Sequence, residues 1–573
     1  MSKVSKTALS IAPPMLVVIV GIVLSALPNV IGWWTVGYPI WLPDGDERFQ
    51  LCLASQAYLN HPMYLADPVY ATGGISLYPW LPILPGEIIA KLLHLGPLGV
   101  NPVWRIWGGA TIALGLYLLV GHYVKRPWIT ASLVILLLSD RGLRGGRLLF
   151  VQITGLWERV FSKNPTPFGM SSWRIGTPCL TYVYLLVHFW LVARARDRPS
   201  RSRLALSGLG FGLLFYVYPY YWTAACAGLV AAWVLDTGHR KIYFHTGWIG
   251  GLIGLPHVVK DMLVKRSRPP DWLTRTDRFV PIPRFEGLEF SKMALLLLAV
   301  GLIWVWFRRR DLIHLWALSF SALALSNNQI LTATTIENFH WRIWVYDPCI
   351  GVFLLLVIAG ELSVRGRWSR PVLLSLFLIA GAELAMGVWV RVTEVKESPR
   401  FFTFFDRYKD QRLEDQGAAR LTPNAVIGGD SQFVDFAMMV ENERPVMAYA
   451  VYLSPSIDNA EWERRIAFNG YLLGLDRSTF EAQQASDLSP PPGAYQWGPW
   501  TRDEAERTRR IAARMAFFDA VTANPSEFLE RYQVRYVALP SKGAPPDYLK
   551  SGWRRLQEGP FWNIWERDPQ GGT

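Results

Sequence analysis

MLVVIVGIVLSALPNVIGWWTVG, Met15 to Gly37, carries no charge and is followed closely by Pro43-Asp44-Gly45-Asp46-Glu47-Arg48-Phe49. An uncharged run of roughly twenty residues is the length a helix needs to cross the hydrocarbon of a bilayer. Carboxylates are costly beside hydrocarbon, so Asp44, Asp46 and Glu47 directly after such a run invite a functional reading. Lys3 and Lys6 precede the run, which is too long for a signal-peptide core and has no small-residue cleavage site. It predicts a signal-anchor helix with its N-terminus in the cytoplasm.

Composition agrees. The 573 residues are 51% hydrophobic and 18% charged, with 27 Trp. A soluble domain carries about 25% charged residues, so the balance favours an integral membrane protein. The net charge of +13 is explained by basic residues in cytoplasmic loops rather than by nucleic acid. Cys52, Cys179, Cys226 and Cys349 are widely separated, with no metal-like spacing, and read as small core residues.

Ten further apolar segments follow the first: Trp104–Tyr123, Trp128–Ser139, Thr177–Val192, Leu204–Tyr221, Trp222–Leu235, Phe244–Val259, Met293–Phe307, Leu312–Ser326, Tyr346–Ala359 and Val372–Val392. The reading is a polytopic α-helical membrane protein of about eleven transmembrane helices. Lys125-Arg126, the Arg194–Arg203 cluster, His239-Arg240-Lys241, Arg308-Arg309-Arg310 and Arg365–Arg370 all fall between alternate segments. With the N-terminus inside, every one of these clusters is cytoplasmic. The long loops Gly37–Val103, Asp140–Gly176 and Lys260–Lys292 then face outward, and so does everything after the last span. Residues 1–392 form the expected transmembrane domain with large outer loops, and 393–573 an extracytoplasmic mixed α/β domain. In the latter, Ala425–Asp430, Val534–Leu539 and Phe561–Trp565 read as strands, and Thr501–Ala523 as an amphipathic helix.

Candidate chemistry lies on the outer side. Asp44, Asp46 and Glu47 precede an expected helix from Phe49 to about Asn60, where a carboxylate also serves as an ordinary cap. The same loop continues through Asp67, Tyr78-Pro79-Trp80, Pro82 and Pro85-Gly86-Glu87, too rich in aromatics and proline for a flexible linker. Arg141 and Arg174 stand near predicted helix ends in a loop that should be poor in cations. Guanidinium forks suit phosphate oxygens, although long loops also translocate regardless of charge. Glu337 and His340 share a helix face and, with Arg342, sit in an amide-rich loop from Asn327. They suit a sugar or phosphate contact, or an interfacial hydrogen-bonded turn. Two such ligands make an incomplete metal set. Tyr216, Tyr218, Tyr220, Tyr221 and Trp222 form an aromatic belt or a sugar-stacking groove. No phosphate-binding loop, dinucleotide fingerprint or hydrolase elbow is present.

These features resemble the GT-C superfamily of integral membrane glycosyltransferases, on Asp44-Gly45-Asp46-Glu47, Tyr78-Pro79-Trp80-Leu81-Pro82, the Asn328-Gln329…Glu337…His340 loop and the outer C-terminal domain. The chain departs from the oligosaccharyltransferase subunit, since Thr35 follows Trp33-Trp34. It departs also from the Asp-Glu-x-x-Tyr pattern of the protein mannosyl and aminoarabinose transferases, since Gln50 ends Asp46-Glu47-Arg48-Phe49-Gln50. The resemblance implies an inverting glycosyltransferase in the inner (cell) membrane. It would move a sugar from a polyprenyl-phosphate donor to a cell-envelope glycan, lipid or protein. Asp46 is then the expected general base, with Asp44 its substitute. Glu47, Tyr78, Arg141, Arg174, Glu337, His340 and Arg342 are the expected substrate contacts. No cofactor is called for and no metal ligand is assigned, though a divalent metal is compatible. The alternatives are a lipid-linked glycan flippase or transporter, and a glycan polymerase or ligase using undecaprenyl-pyrophosphate substrates.

Overall fold

The computed structural model describes residues 3–37, 50–55, 58, 80–139, 179–266, 280–289, 292–335, 338–364, 370–397, 421–440, 444–448, 457–489 and 503–568. Asp44, Asp46, Glu47, Tyr78, Arg141, Arg174 and Glu337 lie outside the described residues.

The apolar segments of the sequence are helical over most of their described residues. In chain order these are α1 (Lys3–Val36), α2 (Leu84–Leu92), α3 (Val100–Val124), α4 (Pro127–Ser139), α5 (Tyr182–Asp197), α6 (Arg201–Leu214), α7 (Pro219–Leu235), α8 (Arg240–Arg266), α9 (Lys292–Phe307), α10 (Ile313–Leu325), α11 (Asp347–Val364) and α12 (Arg370–Glu397). Among the described residues, Ile11–Thr35, Val100–Val124 and Phe339–Leu362 are long and apolar enough to cross a membrane. Pro127–Ser139, Pro219–Leu235, Ala294–Phe307 and Pro371–Ala385 are shorter apolar helices. Large apolar side chains such as Ile19, Leu252, Ile303 and Leu378 stay exposed on the helix surfaces, an arrangement that suits hydrocarbon surroundings and not water.

Lipid gives little hydrophobic drive for helices to associate, so close backbone approach must supply the contact. Gly21 and Gly109 provide it where α1 crosses α3: a Cβ on Gly21 would stand 2.4 Å from the Gly109 carbonyl oxygen. Two boundaries differ from the sequence expectation. The segment Leu204–Tyr221 is broken, because α6 ends at Leu214 and Pro219 opens α7. Proline pushes the preceding residue out of the helical region, and Tyr218 is accordingly extended at φ −163°. The segment expected to end at Val259 runs on past Pro256 to Arg266, so His257 lies inside α8.

Strands β1 (Val280–Pro281) and β2 (Thr334–Thr335) form a small antiparallel pair. The C-terminal region is built on a five-stranded mixed sheet in the order β4-β3-β5-β7-β6. Its strands are β3 (Val426–Gly429), β4 (Arg444–Pro445), β5 (Val534–Pro540), β6 (Trp553–Glu558) and β7 (Trp562–Arg567). β3 pairs in parallel with β4 and β5, and β7 in antiparallel with β5 and β6. Helices α13 (Ser431–Val440), α14 (Asn459–Leu472), α15 (Arg477–Asp487), α16 (Glu504–Ala523) and α17 (Pro525–Arg531) complete it.

This region does not hang free. One hydrophobic core joins Leu51, Leu53, Ile83 and Trp104 of the first loop and α3 to Phe433, Met439, Trp462, Trp562 and Ile564 of the α/β region. Asp430, just after β3, caps α13. Its carboxylate accepts from the amides of Gln432 and Phe433 in the first turn of that helix, and from the Trp562 indole of β7 at 3.0 Å.

Candidate active site where the first loop meets the aromatic cluster

The link between α6 and α7 presents Tyr216 and Tyr218 because Pro219 holds the backbone extended there. The Tyr218 hydroxyl lies 2.6 Å from His340 Nδ1, with the two rings stacked. Tyr220 packs on both His340 and Trp341, ring centroids 4.8 Å apart in each case. Trp341 donates its indole N–H to Thr223 Oγ1 at 2.9 Å. Below them, the Tyr221 and Thr181 hydroxyls are 3.2 Å apart.

The first loop reaches this cluster. Trp80 lies 6.2 Å from the Tyr216 ring, and the Tyr184 hydroxyl donates to the Leu81 carbonyl at 3.2 Å. Tyr216 itself donates to the Ile253 carbonyl at 2.9 Å and packs edge-on to His257. Aromatic faces and a hydroxyl–imidazole pair, set at the mouth of a helix bundle, can stack on a sugar ring and hold its hydroxyls.

The loop after α10 is closed on itself by amide side chains. Asn338 donates to Gln329 Oε1 at 2.6 Å, and Asn328 donates to Asn338 Oδ1 at 2.9 Å. Asn327 Oδ1 accepts the Glu289 amide at 2.8 Å, tying the loop to residues 280–289 alongside the β1–β2 pair. Of the interfacial turn and the substrate contact, the amides therefore serve the turn. Arg342 forms a salt bridge to Glu289 at 2.8 Å, so a phosphate arriving there meets a guanidinium already engaged. Residues Arg342–Tyr346 make a π-helical turn. Such widened turns frequently occur at functional sites, and no residue pattern in the sequence announces this one.

The structure also reveals buried histidines that the loop-centred reading passed over. His188 and His314 line one cavity in the helix bundle, with Phe189, Gly228, Leu229 and Leu318. Both are almost fully buried, and the His314 Nε2 lies 3.3 Å from the Tyr123 hydroxyl. Nearby, Asp236 accepts from Arg196 at 2.8 Å and from the Tyr243 hydroxyl at 2.9 Å. Among the described residues no cluster of three or more His, Cys, Asp or Glu side chains is placed to hold a metal ion.

No family model and no curated relative matches the sequence. Solved structures similar to it include the apo oligosaccharyltransferase of Archaeoglobus fulgidus, at 12% identity and a TM-score of 0.47, covering 93% of this chain and 70% of that one. AglB of the same organism, in complex with an inhibitory peptide and a dolichol-phosphate, is 11% identical with a TM-score of 0.44, covering 94% and 70%. ArnT from Cupriavidus metallidurans bound to undecaprenyl phosphate is 11% identical with a TM-score of 0.44, covering 100% of both chains.

Proposed function

We propose that this chain is an inverting membrane glycosyltransferase that transfers a sugar from a polyprenyl-phosphate donor to a cell-envelope glycan, lipid or protein. The observation that carries the reading is one of continuity. The loop that bears Asp44, Asp46 and Glu47 runs on to Trp80 and Leu81, and these lie against Tyr216 and Tyr184 beside the Tyr218–His340 pair.

In the reaction, the acceptor hydroxyl attacks the anomeric carbon while the bond from that carbon to the phosphate oxygen breaks. Asp46 takes the acceptor proton as general base, with Asp44 its substitute, and the phosphate leaves as a stabilised anion. Arg141, Arg174 and Arg342 are assigned to that charge. Glu47, Tyr78, Glu337 and His340 are assigned to the sugar. The chain is then integral to the inner membrane, with residues 393–573 outside it, and a divalent metal at the acidic loop is compatible with the mechanism.

A second reading, a lipid-linked glycan transporter, draws on His188 and His314 in the bundle, because ionisable groups inside helices mark transport paths. One experiment separates the two. Purified protein is given a panel of polyprenyl-phosphate sugars, with Asp46→Asn and Asp44→Asn alongside. Transfer by the wild type that collapses in Asp46→Asn supports the enzyme. Transfer that survives both substitutions overturns the assignment of the base. No transfer from any donor, together with movement of labelled lipid across vesicles, favours the transporter.

A further inference from the structure

Helix α2 is a short amphipathic element with unlike faces. Ile88, Leu92, Leu93 and Leu95 are exposed, whereas Gly86, Glu87 and Ala90 are buried. The buried face is pressed on α3, so closely that a Cβ on Gly86 would stand 2.1 Å from Trp104 Cδ1. The Trp104 indole donates to the Ile83 carbonyl at 3.1 Å, just before the helix begins. Within this contact Glu87 is 0% exposed, and among the described residues neither carboxyl oxygen has a hydrogen-bond partner. A leucine or methionine would fill the same place without cost, whereas a buried carboxylate without a partner is strongly disfavoured. After α2 the chain turns through left-handed backbone at His94 (φ 54°) and Gly96 (φ 71°).

We propose that Glu87 is a proton-operated latch: α2 stays seated on Trp104 while the carboxyl is neutral and lifts away when it ionises. The seat carries Trp80 and Leu81 with it, so release would withdraw the first loop from Tyr216 and Tyr184. The inference stands on the α2–α3 contact and does not depend on the glycosyl-transfer reading. Burial pushes the Glu87 carboxyl up to about 7, against a smaller downward pull from Lys91. Other ionisable groups on α2 and the elements beside it are Arg105 on α3, Tyr58 beneath the Lys91 ammonium, and His94 in the turn that follows. Lys91 is the charge that acts on Glu87.

The sign follows from the raised value. The docked form binds the proton more tightly than the released form, so docking is favoured below neutrality and lost as pH rises through about 7. The test is hydrogen exchange of the backbone spanning 84–95 in the full-length protein in lipid nanodiscs, corrected for intrinsic exchange. Between about pH 5.5 and about pH 8.5 the wild-type segment should lose protection by roughly tenfold or more, the factor that one unit of carboxyl shift supplies. Glu87→Gln should remove that dependence while a segment in α16 stays unchanged in both proteins. Equal wild-type protection at the two pH values overturns the latch. An unchanged pH dependence in Glu87→Gln overturns it equally, and the wild-type arm decides alone if the variant does not fold.

Discussion

Tyr218 and His340, 122 positions apart in the chain, meet through a 2.6 Å contact between a hydroxyl and an imidazole nitrogen. The contact is possible because Pro219 stops α6 from continuing into α7 and turns the Tyr218 side chain toward the loop after α10. Removing the hydroxyl in Tyr218→Phe leaves the ring in place and takes away this one contact to His340. We expect a fall of about tenfold in kcat/KM with sugar donors, the value of one hydrogen bond of about 1 to 1.5 kcal/mol. Thermal stability should stay near that of the wild type, and steady-state kinetics beside a melting curve checks both.

Arg342 and Glu289 are partly exposed, at 41% and 28%. A pair of this kind contributes about 0 to 1 kcal/mol to stability. Glu289→Gln should therefore barely change the melting temperature. If Arg342 grips phosphate, the same substitution releases it from competition and lowers KM for the lipid donor, whereas Arg342→Gln raises it. Donor titrations of both variants measure the opposing effects.

The Gly86–Trp104 contact leaves no room for a side chain. Gly86→Val drives a branched carbon into the indole, and overpacking of this kind costs about 1 to 3 kcal/mol. The melting temperature should fall, and the same substitution made in a Trp104→Ala background should cost less, because the indole it strikes is gone. Equal costs in the two backgrounds would show that the clash lies elsewhere.

Glu463 receives two guanidiniums in the α/β region: Arg510 at 2.8 Å, and Arg514, which also reaches Gln484. Glu463 and Arg514 are nearly inaccessible. Removing the shared carboxylate in Glu463→Leu strands buried positive charge, at a cost of about 3 to 5 kcal/mol. The double variant Glu463→Leu with Arg514→Leu should be less damaged than the single one, which denaturant unfolding can measure.

Much of this architecture was legible in advance because hydropathy and charge are local properties. The apolar runs from Met15 to Val392 are helices, α16 (Glu504–Ala523) matches its amphipathic pattern, and β3, β5 and β7 lie where alternation with turn residues suggested. The break at Tyr216–Tyr218 was written in Pro219, but the run of aromatics around it concealed the stop. What stayed hidden depends on partners distant in the chain. Nothing near His340 names Tyr218. The bonds of Asn327, Asn328 and Asn338 within their loop and to Glu289 could not be read from an amide-rich stretch alone. His188 and His314 are single polar residues in apolar segments, and only packing brings them to one cavity. Glu87 stood at the end of an aromatic and proline-rich stretch, and its burial against α3 depends on Trp104.

The core shared by Leu51, Ile83 and Trp104 with Phe433, Trp462 and Trp562 also limits how this protein can be divided or recombined. Cutting the chain near residue 393 would leave both fragments with a raw apolar surface, one on the first loop and one on the sheet. Grafting a foreign α/β region onto these helices would have the same defect unless the loop were exchanged with it. The two halves are therefore expected to change together, so that an exchange of either must carry both as a single cassette.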